Sequence, residues 1–149
     1  MSKAPTFALK DKEGVTHKLS SFKSEFVVIY FYPKDNTPGC TLEAQDFSRL
    51  LPQFKKAKTE VVGISGGDEK SKTKFCEKHK LNVLLLSDPD FSVSKAYNAY
   101  GQKKFMGRSF QGIFRSTFVL NKKREIIKVF EQVKAAGHAE EVLKFIKSA

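Results

Sequence analysis

The stretch Phe26-Val-Val-Ile-Tyr-Phe-Tyr32, stopped by Pro33, constrains this chain more than any other. An unbroken run of β-branched and aromatic residues, without polar alternation, suits a strand covered on both faces in the interior of a layered sheet. The run is far shorter than the roughly 20 apolar residues that cross a bilayer, so no membrane segment is expected.

The rest of the pattern alternates helix and strand around that centre. Cys40, Ala44, Phe47, Leu51 and Phe54 recur at helical spacing and form the core face of an amphipathic helix. Pro52 is expected to kink or end that helix near Leu51. Glu60-Val-Val-Gly-Ile-Ser65 reads as the next strand, broken by Gly66-Gly67. Asp68 can cap a helix reaching about His79. Val83 to Leu86 returns as a strand, and Phe91 to Tyr97 as a short helix. Gly101 to Gly112 is expected to be a loop or hairpin. Arg115 to Leu120 and Glu125 to Phe130 form an antiparallel pair about the turn Asn121-Lys-Lys-Arg124. Gly137 precedes a last helix with Val142, Leu143 and Ile146 on its apolar side. Two β–helix–β crossovers, then a hairpin and a terminal helix, predict an α/β fold, a thioredoxin-like sandwich with a central mixed β-sheet flanked by helices. With no linker or repeat in 149 residues, one domain over 1–149 is expected.

Charge and cysteine content narrow the function classes. The formal charge is +11, from 27 Lys and Arg against 16 Asp and Glu. Lys10, Lys12, Lys18, Lys34, Lys55, Lys70, Lys103 and Lys122 are spread along the chain, and no nucleic-acid reading module accompanies them, so a solvated basic surface is expected and nucleic-acid binding is not. Two cysteines make no disulfide scaffold. The opening Met1-Ser-Lys-Ala-Pro5 lacks an apolar core, so no secretion signal is expected and a reducing cytoplasmic setting is. His17, His79 and His138 show no metal-ligand spacing. Nothing points to haem or flavin, so no cofactor and no metal are expected.

The chemistry concentrates between the first strand and the first long helix, in Tyr32-Pro-Lys-Asp-Asn-Thr-Pro-Gly-Cys-Thr41. Thr37 suits an N-cap and Pro38 the first helical position, where no N–H is needed. Cys40 then falls in the first turn, where the helix dipole and unpaired N–H groups favour a thiolate. Gly39 leaves the backbone open to a small molecule. The residues alone leave Cys40 open between a nucleophile and a small buried core residue.

Pro33-x-x-x-Thr37-x-x-Cys40 is similar to the active-site signature of peroxiredoxins. The fuller Phe31-Tyr-Pro-Lys-Asp-Asn-Thr-Pro-Gly-Cys-Thr41 resembles the peroxiredoxin Q branch, also called bacterioferritin comigratory protein. Val61-Val-Gly-Ile-Ser65, Ser87-Asp88, Ala99-Tyr-Gly101, Gly112-Ile-x-Arg-Ser-Thr-Phe118 and Lys134-x-x-Gly-His-Ala139 resemble it too. The resemblance implies a thiol-dependent peroxidase acting on hydrogen peroxide and organic hydroperoxides, with Cys40 as the peroxidatic cysteine that becomes a sulfenic acid. It implies that Arg115 holds thiolate and peroxide; as a residue alone, Arg115 reads sooner as an exposed strand position. It implies that Thr37 hydrogen-bonds the sulfur or peroxide, besides any capping role. It implies that Pro33 shields the sulfur, besides ending the strand. Glu43 and Asp46 are read as solvated helix positions without a role.

Many members of the branch carry a resolving cysteine five residues after the first, and here Gln45 stands there. Another subset places it on the following helix, which Cys76 fits. That helix carries Lys70, Lys72, Lys74 and Lys78 with little apolar surface besides Phe75, so it is expected to be lightly anchored and able to open locally. The resemblance further implies recycling by thioredoxin and a monomer. A one-cysteine peroxidase resolved by an external thiol is the alternative, with a non-enzymatic redox-interaction protein behind it. A thioredoxin-type reductase would need Cys-x-x-Cys, and Thr41-Leu-Glu43 supplies no partner.

Overall fold

The computed structural model, which describes residues 2–149, places the Phe26–Tyr32 run in the interior of a seven-stranded mixed sheet. In chain order the elements are β1 (Ala8–Lys10), β2 (Thr16–Lys18), β3 (Phe26–Phe31), α1 (Pro38–Lys56), β4 (Thr59–Ser65), α2 (Glu69–His79) and β5 (Leu84–Ser87). There follow α3 (Ser92–Ala96), β6 (Tyr100–Phe105), β7 (Arg108–Ile113), β8 (Ser116–Leu120), β9 (Ile126–Phe130) and α4 (His138–Ser148). The sheet order is β2-β1-β5-β4-β3-β8-β9, with β3, β4 and β5 parallel and β8 and β9 antiparallel. Strands β6 and β7 form a separate hairpin, settling the Gly101–Gly112 expectation in favour of a hairpin.

Strand β3 divides its side chains between two cores, as period-2 geometry requires. Val28 and Tyr30 join α1, α2 and α4 on one face; Val27, Ile29 and Phe31 join the N-terminal segment and α3 on the other. No helix among the described residues is long and apolar enough to cross a membrane.

Four local readings are corrected. Helix α1 does not end near Leu51; it continues through Pro52 to Lys56. Phe54, fully buried beyond the proline, holds that last stretch against the core, and packing outweighs the lost amide donor. Along the same helix the buried stripe takes in Leu50, and Leu51 is only half-buried. The sequence reading also lacked the β1–β2 hairpin, whose strands are too short to give a periodic signal; its turn residues Asp11 and Gly14 (φ +80) were the available cue. Finally, Arg115 does not lie on a strand but one residue before β8. His138, beyond marking the helix boundary, is buried and pairs through Nε2 with Thr117 Oγ1 at 2.7 Å.

Candidate active site

The parallel strands β3 and β4 end side by side, and the backbone of Tyr32 extends the pairing by donating to the Ile64 carbonyl at 3.1 Å. The loops leaving these strands share one rim of the sheet, where α/β folds build ligand sites. The antiparallel register of β8 brings Ser116 opposite Phe31, so Arg115 faces the loop that runs from Pro33 into α1. Asn36 turns that loop in the left-handed region (φ 63), which asparagine tolerates.

Cys40 is the third helical residue of α1 and only 1% exposed. Arg115 reaches it directly, Nη2 donating to Cys40 Sγ at 3.3 Å, while Nη1 donates to Glu43 Oε1 at 2.7 Å. Gly39 makes room for that guanidinium, because a Cβ there would stand 3.1 Å from Nη2. The glycine expected to open the backbone to a small molecule thus first accommodates Arg115.

Glu43 overturns the expectation of a solvated helix position: it is fully buried. It lies three residues after Cys40 on the same helix face, and Arg115 is the partner that permits its burial. Burial pushes the Glu43 carboxyl up to about 7, with Arg115 pulling the other way. Burial also opposes the charge of Arg115, and Glu43 and Cys40 outweigh it, holding the guanidinium above its ordinary value. Asp46 is half-buried and meets Arg49 at 3.4 Å.

The other expected site residues lie in the loop before α1 and in α2. Thr37 occupies the N-cap position of α1, but its hydroxyl makes no capping bond and donates instead to the Lys34 carbonyl at 2.8 Å. Pro33, half-buried, begins the loop. Cys76 sits in α2, 6% exposed, in the same apolar cluster as Cys40, and both thiols are free. Burial pushes the Cys76 thiol up, partly offset by Lys12 and Lys72. Tyr30 belongs to the same cluster, its ring stacked on Phe47 and its buried hydroxyl without a hydrogen-bond partner among the described residues. The expectation that α2 is lightly anchored by solvated lysines needs one correction: Lys72 is fully buried. A surface concavity lined in part by Pro5, Tyr97, Phe114 and Phe118 holds neither cysteine.

The model of the AhpC/TSA family matches residues 1–129. The chain belongs to that family, among the peroxiredoxins. A Helicobacter pylori protein carrying the bcp peroxiredoxin name is 48% identical over 141 residues, covering 95% of this chain and 93% of that one. Peroxiredoxin Bcp of Bacillus subtilis is 41% identical over 145 residues, covering 97% of this chain and 92% of that one. The Xanthomonas campestris bacterioferritin comigratory protein superposes with a TM-score of 0.89 at 37% identity, covering 95% of this chain and 90% of that one. That relative was solved in trapped-intermediate and ligand complexes bearing on alkyl peroxide reduction, and with single Cys→Ser substitutions 36 residues apart, the separation of Cys40 and Cys76. This peroxiredoxin is therefore a thiol peroxidase with the thioredoxin-like fold of the Bcp and peroxiredoxin Q proteins.

Proposed function

We propose that Cys40 is the peroxidatic thiol, that Arg115 orients it and the substrate, and that Cys76 resolves the product for recycling by thioredoxin or a similar dithiol. The observation that carries this reading is the Arg115 fork, one arm on Cys40 Sγ and the other on Glu43. Together with the first turn of α1, the guanidinium puts positive charge where the sulfur must carry negative charge. With Cys40 nearly enclosed, the reacting end must be slender, which a hydroperoxyl group is, whether in hydrogen peroxide or an organic hydroperoxide.

In the first step the Cys40 thiolate attacks one peroxide oxygen. The S–O bond forms, the O–O bond breaks, and the leaving oxygen takes its electron pair and a proton as water or an alcohol. Arg115, with donors held in a plane, meets the charge moving from sulfur to the leaving oxygen. Pro33 and Thr37 act from the loop entering α1, Pro33 limiting water at the sulfur and the Thr37 hydroxyl fixing the loop on Lys34 or turning to the peroxide. In the second step the Cys76 thiol displaces hydroxide from the Cys40 sulfenic acid. A Cys40–Cys76 disulfide and one water result. An external dithiol then reduces the disulfide and is itself oxidised to a disulfide.

The burial that pushes the Cys76 thiol up makes it a poor nucleophile until α2 moves, so resolution follows opening of that helix. The 36-residue separation shared with the substituted cysteines of the Xanthomonas relative supports Cys76 in this role. A reducing cytoplasmic setting and a monomeric state complete the reading. The test is non-reducing digestion after one equivalent of peroxide. A Cys40–Cys76 linked peptide within one chain is expected, and a Cys40 sulfenic acid that persists, or a dimer linked between chains, overturns the resolving role.

A further inference from the structure

Helix α2 devotes core positions to charge. Its buried residues are Lys72, Phe75 and Cys76, a single stripe, while Lys70, Lys74 and Lys78 are exposed. Lys72 Nζ donates to Ser65 Oγ at 2.7 Å and to the Gly67 carbonyl at 3.1 Å, and pairs with Asp35 Oδ2 at 3.4 Å. The side chains of the pair are 0% and 2% exposed. Asp35 belongs to the loop that delivers Cys40, and it also accepts from Tyr32 Oη at 2.6 Å and Ser71 Oγ at 2.7 Å. Gly67 contributes by absence, since a Cβ there would overlap Asp35 Oδ2. The Cys40 loop and the Cys76 helix are thus joined by one buried ion pair.

We propose that Asp35 and Lys72 are positioning residues for the resolving step, forming a polar latch that sets how often α2 releases Cys76 toward Cys40. The proposal rests on the reading that Cys76 resolves Cys40. The physical reason lies in what release costs. Apolar groups lose their burial when a helix swings into water, but buried charges regain hydration. A charged pair therefore holds α2 in one register while docked and lowers the penalty of letting go. Removing one partner leaves the other buried without a counter-charge and favours release, whereas replacing both by neutral groups of similar shape favours the docked form.

The two replacements predict opposite signs at one place, which a merely structural role does not. Lys72→Gln and the double variant Asp35→Asn/Lys72→Met are compared with the full-length parent. Amide exchange of α2 is read in the reduced proteins, and the ratio of Cys40–Cys76 disulfide to Cys40 sulfinic acid is read after rising hydrogen peroxide. The first-step rate constant, taken in the same runs, normalises the comparison. In Lys72→Gln, α2 exchange is expected to rise about tenfold and the peroxide needed for half-maximal sulfinic acid to rise several-fold. In the double variant, exchange is expected at or below the parent and that peroxide level to fall. Unchanged α2 exchange in Lys72→Gln, or equal disulfide-to-sulfinic ratios in all three proteins, overturns the latch. If Lys72→Gln does not fold, the double variant decides alone: a ratio shifted toward sulfinic acid supports the latch, and an unshifted one overturns it. If the parent forms no Cys40–Cys76 disulfide the resolving role is overturned, and α2 exchange separates the two ideas: a rise in Lys72→Gln keeps the ion pair as the latch on α2, and no rise overturns the latch as well.

Discussion

Replacing Glu43 by Gln should make this peroxidase more stable and slower at once. Glu43 is fully buried and its carboxyl is raised from an ordinary 4.5 to about 7. A carboxyl raised in the folded protein favours folding fully below pH 4.5, and that contribution is lost as pH rises through about 7. The gap of about 2.5 pH units, at about 1.36 kcal/mol each, amounts to about 3 kcal/mol lost by pH 8. A glutamine amide does not titrate, so the Glu43→Gln variant keeps what the parent loses. Thermal unfolding should show the two nearly equal at pH 5 and the variant several degrees higher at pH 8. The opposite effect falls on rate. The 2.7 Å bond from Arg115 Nη1 becomes neutral rather than charge-assisted, a loss of about 1–1.5 kcal/mol in the hold on the guanidinium. Expressed in the transition state, that is about a tenfold slower first oxidation. Because the chain has no Trp, rapid quench followed by mass spectrometry is the suitable assay. A variant less stable than the parent at pH 8, or one with an unchanged first-step rate, would refute the reasoning.

Arg115→Lys should slow the first oxidation by at least about tenfold, because an ammonium cannot hold Sγ and Glu43 together; an unchanged second-order rate constant in rapid mixing would mean the fork is idle. Cys76→Ser should react once, leave a trappable sulfenic acid at Cys40, over-oxidise more readily and lose thioredoxin-driven turnover; cycling at the parent rate would make Cys76 a bystander. Pro52→Ala, at an exposed position inside α1, should raise stability by about 1–3 kcal/mol in denaturant unfolding as the Ser48 carbonyl regains an amide donor; no gain would mean the helix is already adapted to the proline.

What the sequence made legible was whatever periodicity or local stereochemistry records. The β3 run, the α1 stripe and the Thr37-Pro38 helix start lie within a few residues of the features they predict; the run and the helix start stand where expected, and the stripe differs only in burying Leu50 in place of Leu51. The thioredoxin-like layering followed from their order. Glu43 and Lys72 were misread because a charged residue in a window of charged residues looks solvated. Each is buried by a distant partner, Arg115 for Glu43 and Asp35 for Lys72. One signal was present in both cases: Glu43 falls within the apolar face that carries Cys40, Ala44 and Phe47, and Lys72 falls on the stripe of Phe75 and Cys76. A charge on a core stripe asks for a counter-charge, and only the fold says which.

The central claim is that Cys40 Sγ is the atom that attacks the peroxide. Peroxide consumption by Cys40→Ser, in a protein shown by circular dichroism to keep its fold, tests it most directly. A serine hydroxyl offers no accessible anion near neutral pH, so the account predicts turnover below about a tenth of the parent rate with thioredoxin supplied. Consumption retained above that level would contradict it and move the chemistry to another residue.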